Sequence, residues 1–455
     1  LVSAKTLARQ VKKSGLKTSF TLGQVPVPKD DEHQHFFIHG TTGSGKSQCI
    51  KRMLHTIRER GQQAVVYDKG GELLANFFRP GQDILLNPLD ARSSPWSLWG
   101  ECQHSADYEA LAEAFIPTTP GVNSDPFWNN AARTLFANSA EALANNPKRS
   151  MGLLLQHLFS SDSDTLQDLL KGTAAESMVS DTVAKTTLNI KSVLATHLHA
   201  LKYVQETPHP FSIRQWVQQD KRDSWLFLSS RQNQHAALRP LISAFLNIVF
   251  YTLLSLTPYQ RQSLWLVLDE LPSLQRLPHL MPTLAEGRKF GGAFIVGMQN
   301  YRQLQEIYGS QQASTLASLC NTQLFLRATG DINQWVSAQL GEMEVEEVSE
   351  GMSYGASEHR DGVSLSKQRR TLPLVLSSEI RQLKDLQGYL MLKSHWPIAK
   401  VTIPWVKDRV GQSAFVAKSQ AELAQTTPDK TVNRLSTLFA SKSSAFMKTN
   451  MRDAD

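Results

Sequence analysis

Cysteine is scarce in this chain. Cys49, Cys102 and Cys320 are the only three in 455 residues, and they are scattered, odd in number and without metal-ligand spacing. That excludes a disulfide framework and a cysteine zinc site, and points to a reducing compartment. Long hydrophobic runs are missing as well. Residues 241–256 (LISAFLNIVFYTLLSL) come nearest to a membrane span, but the stretch is interrupted by Ser243, Asn247, Thr252 and Ser255. It is too short for a hydrocarbon core of about 30 Å. A buried helix is expected there, and the chain as given reads as soluble. There is no internal repeat.

Acidic residues are absent from the first 29 positions, where Lys5, Arg9, Lys12, Lys13, Lys17 and Lys29 stand. Those residues account for almost all of the formal net charge of +7. A nucleic-acid arm, a juxtamembrane segment held at an anionic leaflet, and a plain solvated leader all fit. The first residue is Leu1 and not Met, and the expectation is that a segment carrying a membrane anchor precedes it. A hydrophobic content of 41% with 20% charged residues describes a globular protein with a sizeable core.

What is present is more specific. Gly40-Thr41-Thr42-Gly43-Ser44-Gly45-Lys46-Ser47 matches the phosphate-binding loop G-x-x-x-x-G-K-[ST] at every position. The apolar run Phe36-Phe37-Ile38-His39 before it predicts a short buried strand, and residues 48–60 predict a helix. The glycines let backbone N–H groups turn inward onto a polyphosphate, and the helix start adds its positive end. Lys46 would reach the β- and γ-phosphates and Ser47 would ligate Mg²⁺. The chain is expected to bind ATP.

Strand-like runs fall in two blocks: residues 36–39, 64–67 and 84–86, then 225–228, 264–268, 293–298, 324–326 and 389–392. Helical patterns alternate with them, as in a mostly parallel sheet with helices on both faces. Between the blocks only helical spacing is found. The expected domains are a basic leader (1–30), an α/β nucleotide-binding domain (31–97 and 208–405), an all-α insertion (98–207) and a polar, mobile tail (406–455) with a helix near 433–442.

The strand Leu264-Trp265-Leu266-Val267-Leu268 ends in Asp269-Glu270, at the edge where ligands of α/β sheets gather. Asp269 would hold Mg²⁺, and Glu270 would act as general base toward the attacking water. Gln299, after the next strand, would contact the γ-phosphate and report hydrolysis. Arg288 is the first candidate for an arginine finger supplied across a subunit boundary, and Arg327 the second. Asp68 and Glu72 read either as partners of the metal or as turn caps.

Together these segments resemble the TraD-type coupling proteins of bacterial conjugation. The resemblance is carried by the loop, by Tyr67-Asp68-Lys69-Gly70-Gly71-Glu72, by Asn87-Pro88-Leu89-Asp90-Ala91-Arg92 and by Asp125-Pro126-Phe127-Trp128. It is carried further by Leu268-Asp269-Glu270-Leu271-Pro272 and Glu286-Gly287-Arg288-Lys289-Phe290-Gly291-Gly292. It implies a RecA-like α/β fold with an inserted all-α domain, and a homo-hexameric ATPase at the cytoplasmic face of the bacterial inner membrane. The implied partners are a relaxase with its single-stranded DNA and the channel of a type IV secretion system. Without a strongly basic surface beyond the leader, DNA contact would come from pore-facing loops of the ring. The family's transmembrane helices and the long acidic tail of some relatives have no counterpart in this sequence. Two other functions share the core motifs: a docking platform that binds ATP only to assemble, and a double-stranded DNA translocase.

Overall fold

The computed structural model describes residues 1–118, 126–180, 184–220, 222–353, 362–393 and 395–419. The chain divides into two units. The first comprises residues 1–56, 295–301 and 317–407; the second comprises 57–294, 302–316 and the chain from 408 on. The strand Gly292–Met298 begins in the second unit and ends in the first.

In the first unit the strand Phe36–His39 pairs in parallel with Thr322–Leu326 on one side and with the end of Gly292–Met298 on the other. Every residue of these strands is buried, which is why they read as unbroken apolar runs. Gln387–Met391 continues the order antiparallel, followed by Ala399–Thr402 and then Val2–Ser3. The helix Ile332–Leu340 brings Trp335 onto Phe37, with ring centroids 6.2 Å apart.

Residues 1–30, expected as a leader, are folded. Ser3 caps the helix Ala4–Lys13, accepting the Thr6 N–H at 3.1 Å. Leu7 and Val11, four apart, turn inward while Lys5, Arg9, Lys12 and Lys13 stay outside. The hairpin of Thr18–Leu22 and Val25–Pro28 follows. A longer ribbon pairs Glu342–Ser353 with Gly362–Pro373. It was not expected, because its charged residues break any apolar alternation; Glu347 and Arg370 form an ion pair at 3.2 Å across it.

In the second unit Leu264–Leu268, Gln63–Lys69, Trp225–Ser230 and Ile84–Leu86 run side by side, all parallel. Between residues 98 and 207 the described residues hold helices and no strand, among them Ser105–Phe115, Pro126–Ala142, Met151–Phe159 and Ala184–Leu198. The two ends of this segment are clasped together. The buried Glu101 accepts Trp96 Nε1–H and the backbone N–H groups of Ile213 and Arg214, each at 2.8 Å.

The helix His235–Leu254 is long and apolar enough to cross a membrane, but 78% of its apolar window is buried in the protein. Trp96 packs edge-on against Phe245 at 4.9 Å, inside that core. The helix begins six residues earlier than the apolar run, because Pro240 in its first turns does not stop it.

Residues 408–419, expected within a mobile tail, instead pack on the second unit. Ala91 N–H donates to the Val416 carbonyl at 2.8 Å, and Arg92, paired with Asp90 at 2.7 Å, donates to Ser413. Gly71 makes room for this passage, since a Cβ there would lie 2.5 Å from the Ala414 carbonyl oxygen. The helix expected near 433–442 and Asp125 lie outside the described residues.

Candidate nucleotide-binding site

The phosphate loop leaves the carboxyl end of Phe36–His39 and enters the helix Lys46–Glu59. Its shape is fixed by its own neighbours. Gly40 N–H donates to Met298, and Thr41 donates both N–H and hydroxyl to the Arg327 carbonyl, at 3.0 and 3.1 Å. Ser44 folds back, its hydroxyl donating to the Thr41 carbonyl at 2.7 Å. Gly45 has φ +111, and a Cβ there would sit 2.7 Å from Leu386 Cδ2. Only glycine serves this position.

Lys46 is 6% exposed at the first position of the helix, with Ser47 half-buried beside it. The aligned N–H groups of the helix start, the lysine and the hydroxyl form a donor set suited to an Mg²⁺-bound polyphosphate. Thr42 Oγ1 donates to Gln299 Oε1 at 2.9 Å, so the tip of the loop and the expected sensor are joined. The sequence places Thr42 in the loop, but its bond to Gln299 joins positions 257 residues apart and leaves no mark in the motif. His39 is fully buried, and burial, aided by the charge of Lys46, holds its pKa down at about 4. The imidazole is neutral at pH 7 and adds no charge beneath the loop.

Arg327 also belongs to the first unit. Its guanidinium is engaged by Asp385 at 2.7 Å while its carbonyl supports Thr41. That double duty ties it to its own loop.

The second unit holds Asp269 and Glu270, half-buried at the carboxyl end of Leu264–Leu268. The turn after them is braced. Ser273 Oγ donates to the Glu270 carbonyl at 2.7 Å and meets Tyr67 Oη at 2.5 Å. His235 Nε2 lies 2.8 Å from the Ser273 carbonyl. None of these supports was expected, since each comes from a different stretch of sequence. Arg288 lies in the short helix Gly287–Phe290 with its side chain exposed, and no ion pair involves it among the described residues. Lys289, its neighbour, pairs instead with Glu286 at 3.5 Å.

Asp68 is a cap: its carboxylate accepts the Leu74 N–H at 2.8 Å, at the start of the helix Glu72–Phe77. Burial, together with the nearby charges of Asp269 and Glu72, pushes its pKa up to about 7. Between its ordinary value and 7 the folded chain keeps a proton that the unfolded chain has released. Stability therefore falls as pH rises through that window. From about pH 4.5 to about pH 7.5 the wild type should lose roughly 3 kcal/mol more than Asp68→Asn. Urea unfolding in metal-free buffer measures this, and equal pH slopes in the two proteins would remove the assignment.

A glycine loop between a buried parallel strand and a helix in one unit, and a buried strand followed by two carboxylates in the other, are the marks of a RecA-like P-loop nucleotide-binding protein. Residues 19–404 match the model of the type IV secretion-system coupling protein DNA-binding domain, and the chain belongs to that family. It is 38% identical over 408 residues to the coupling protein TraD of Escherichia coli (strain K12), a match covering 88% of this chain and 57% of TraD. The chain thus spans little more than half the length of that relative. The plasmid coupling protein TrwB, solved with the ATP analogue ADPNP, is similar at TM-score 0.81 and 31% identity, covering 92% of this chain and 96% of that one. TrwB solved with ADP and Mg²⁺ gives TM-score 0.80 at 32% identity, covering 91% and 95%. TrwB with the GTP analogue GDPNP gives 0.79 at 32% identity, with the same coverage.

Proposed function

We propose that this chain is the nucleotide-driven portion of a conjugative coupling protein, which hydrolyses ATP to move single-stranded DNA and its relaxase into a type IV secretion channel. The observation that carries this is the phosphate loop, with Lys46 at the helix start and Thr42 joined to Gln299. The likeness to TrwB supports ATP with Mg²⁺ as the bound pair, and its ADPNP and GDPNP complexes support tolerance toward the purine.

In this reading Lys46 neutralises the β- and γ-phosphates, and Ser47 and Asp269 hold Mg²⁺, which would offset phosphate charge. Glu270 takes the proton of the attacking water. Gln299 orients that water and passes its loss to the loop through Thr42. Arg288 comes from a neighbouring subunit in a homo-hexamer and offsets charge that develops on the γ-phosphate. The exposed, unpaired state of Arg288 supports it over Arg327, whose guanidinium is held by Asp385. The whole protein would sit at the cytoplasmic face of the inner membrane, its basic first helix toward the anionic leaflet. DNA would be gripped by loops lining the ring.

The test is ATP turnover against protein concentration, with and without single-stranded DNA. Specific activity is expected to rise steeply with concentration, and single-stranded DNA should shift that rise to lower protein. Turnover absent under every condition would leave a docking platform; stimulation by duplex alone would favour a double-stranded DNA translocase.

A further inference from the structure

Trp405 is 68% exposed, although the segment that carries it is firmly held. Before it, the buried Ile403 donates its N–H to the Leu386 carbonyl at 2.7 Å, and Leu386 in turn donates to the Ser44 carbonyl at 2.8 Å. After it, Val406 N–H donates to Gln48 Oε1 at 2.8 Å. Trp405 therefore stands between two ties to the phosphate loop, one to its glycine turn and one to the first turn of its helix. Leu386 takes a left-handed conformation, φ +65, to make the first tie. That is a costly geometry for a branched, apolar residue, and the packing against Gly45 keeps it in place.

The direction of a bound triphosphate follows from the loop. With Gln299, bonded to Thr42, taken as the γ-phosphate sensor as proposed above, the α end faces the opposite side, past Lys46 toward Ser47 and Gln48. The nucleoside leaves from that end. It emerges where Gln48 is tied to the segment bearing the exposed indole. An aromatic face fixed at the edge of a site by backbone bonds offers a flat platform at low entropic cost, as its anchor is already ordered.

We infer that Trp405 is the surface on which the purine base of the bound nucleotide stacks. The inference rests on the nucleotide reading above and adds the subsite for the base. Stacking needs only a π-face, so it holds adenine and guanine alike and gives affinity without strong selection between them.

Calorimetric titration with ATP, GTP and inorganic tripolyphosphate, each with Mg²⁺, tests it on the wild type, Trp405→Ala and Trp405→Phe. Trp405→Ala should weaken ATP and GTP together, on the order of tenfold, and leave tripolyphosphate within about twofold of wild type. Trp405→Phe should recover most of the loss. The chain has nine tryptophans, so the fluorescence change on adding ATP is read as the difference between wild type and Trp405→Phe. Wild-type ATP affinity in Trp405→Ala would overturn the inference. An equal loss for tripolyphosphate would overturn it too, by showing that the segment only supports the loop. Failure of the wild type to bind ATP or GTP at all would instead defeat the nucleotide reading underneath.

Discussion

Lys46→Ala should abolish measurable ATP binding, whereas Glu270→Gln should bind ATP like the wild type and turn it over on the order of 10²–10⁴-fold more slowly. The contrast follows from the places of the two side chains. Lys46 opens the helix Lys46–Glu59 and is 6% exposed. In the proposed site it is the one fixed positive charge beside the helix-start N–H groups and the Ser47 hydroxyl, so its removal would leave the β- and γ-phosphates uncompensated. The neutral His39 beneath the loop cannot replace it. Glu270 follows a buried strand, in a turn braced through Ser273, Tyr67 and His235. Glutamine keeps the size and shape of the side chain in that braced turn and removes its capacity to take a proton. Equilibrium binding and steady-state turnover measure the two effects separately. Near-normal turnover in Glu270→Gln would end its assignment as general base.

The parts legible in the sequence are those where one physical constraint dominates. Phe36–His39, Leu264–Leu268 and Gly292–Met298 are buried on both faces, and nothing but an uninterrupted apolar run satisfies that. The phosphate loop was legible because its glycines and lysine are required by the ligand and by close approach, as Gly45 against Leu386 shows. What stayed hidden depends on pairing between distant segments. The ribbon of Glu342–Ser353 and Gly362–Pro373 has charge along both strands, so its ladder leaves no apolar period to read. Val2–Ser3 is too short for any pattern and exists only because Ala399–Thr402 offers an edge. Residues 408–419 look like a polar tail, yet the Arg92 side chain donates to the Ser413 carbonyl, the Asp90 carboxylate accepts the Val416 N–H, and Gly71 leaves room for Ala414; contacts to the tail's backbone leave no mark on its composition. The same holds in the site. Asp269 and Glu270 could be found as a strand ending in carboxylates, but the supports from Tyr67, His235 and Ser273 are visible only in three dimensions.

Mixing two inactive variants should restore turnover if sites are completed across subunits. Arg288→Ala subunits lack the finger but keep Glu270; Glu270→Gln subunits lack the base but keep Arg288. In a mixed ring one type of interface joins an intact Glu270 to an intact Arg288 and regains full chemistry. With equal amounts and random assembly that is about a quarter of the interfaces, so recovery of up to roughly a quarter of wild-type activity is expected from two backgrounds that are each on the order of 10²-fold or more impaired. Arg288 suits the role physically: it stands exposed on the short helix Gly287–Phe290, beside Lys289, whose charge is already taken by Glu286. Arg327 gives the internal comparison. Its guanidinium is bound to Asp385 and its carbonyl to Thr41, so Arg327→Ala should disturb the loop of its own subunit. Mixing with Glu270→Gln should then rescue through the Arg327 of intact loops only if that residue, and not Arg288, reaches across. Rings that demonstrably form from Arg288→Ala and Glu270→Gln subunits but stay inactive would return Arg288 to the surface, or to a role within its own subunit.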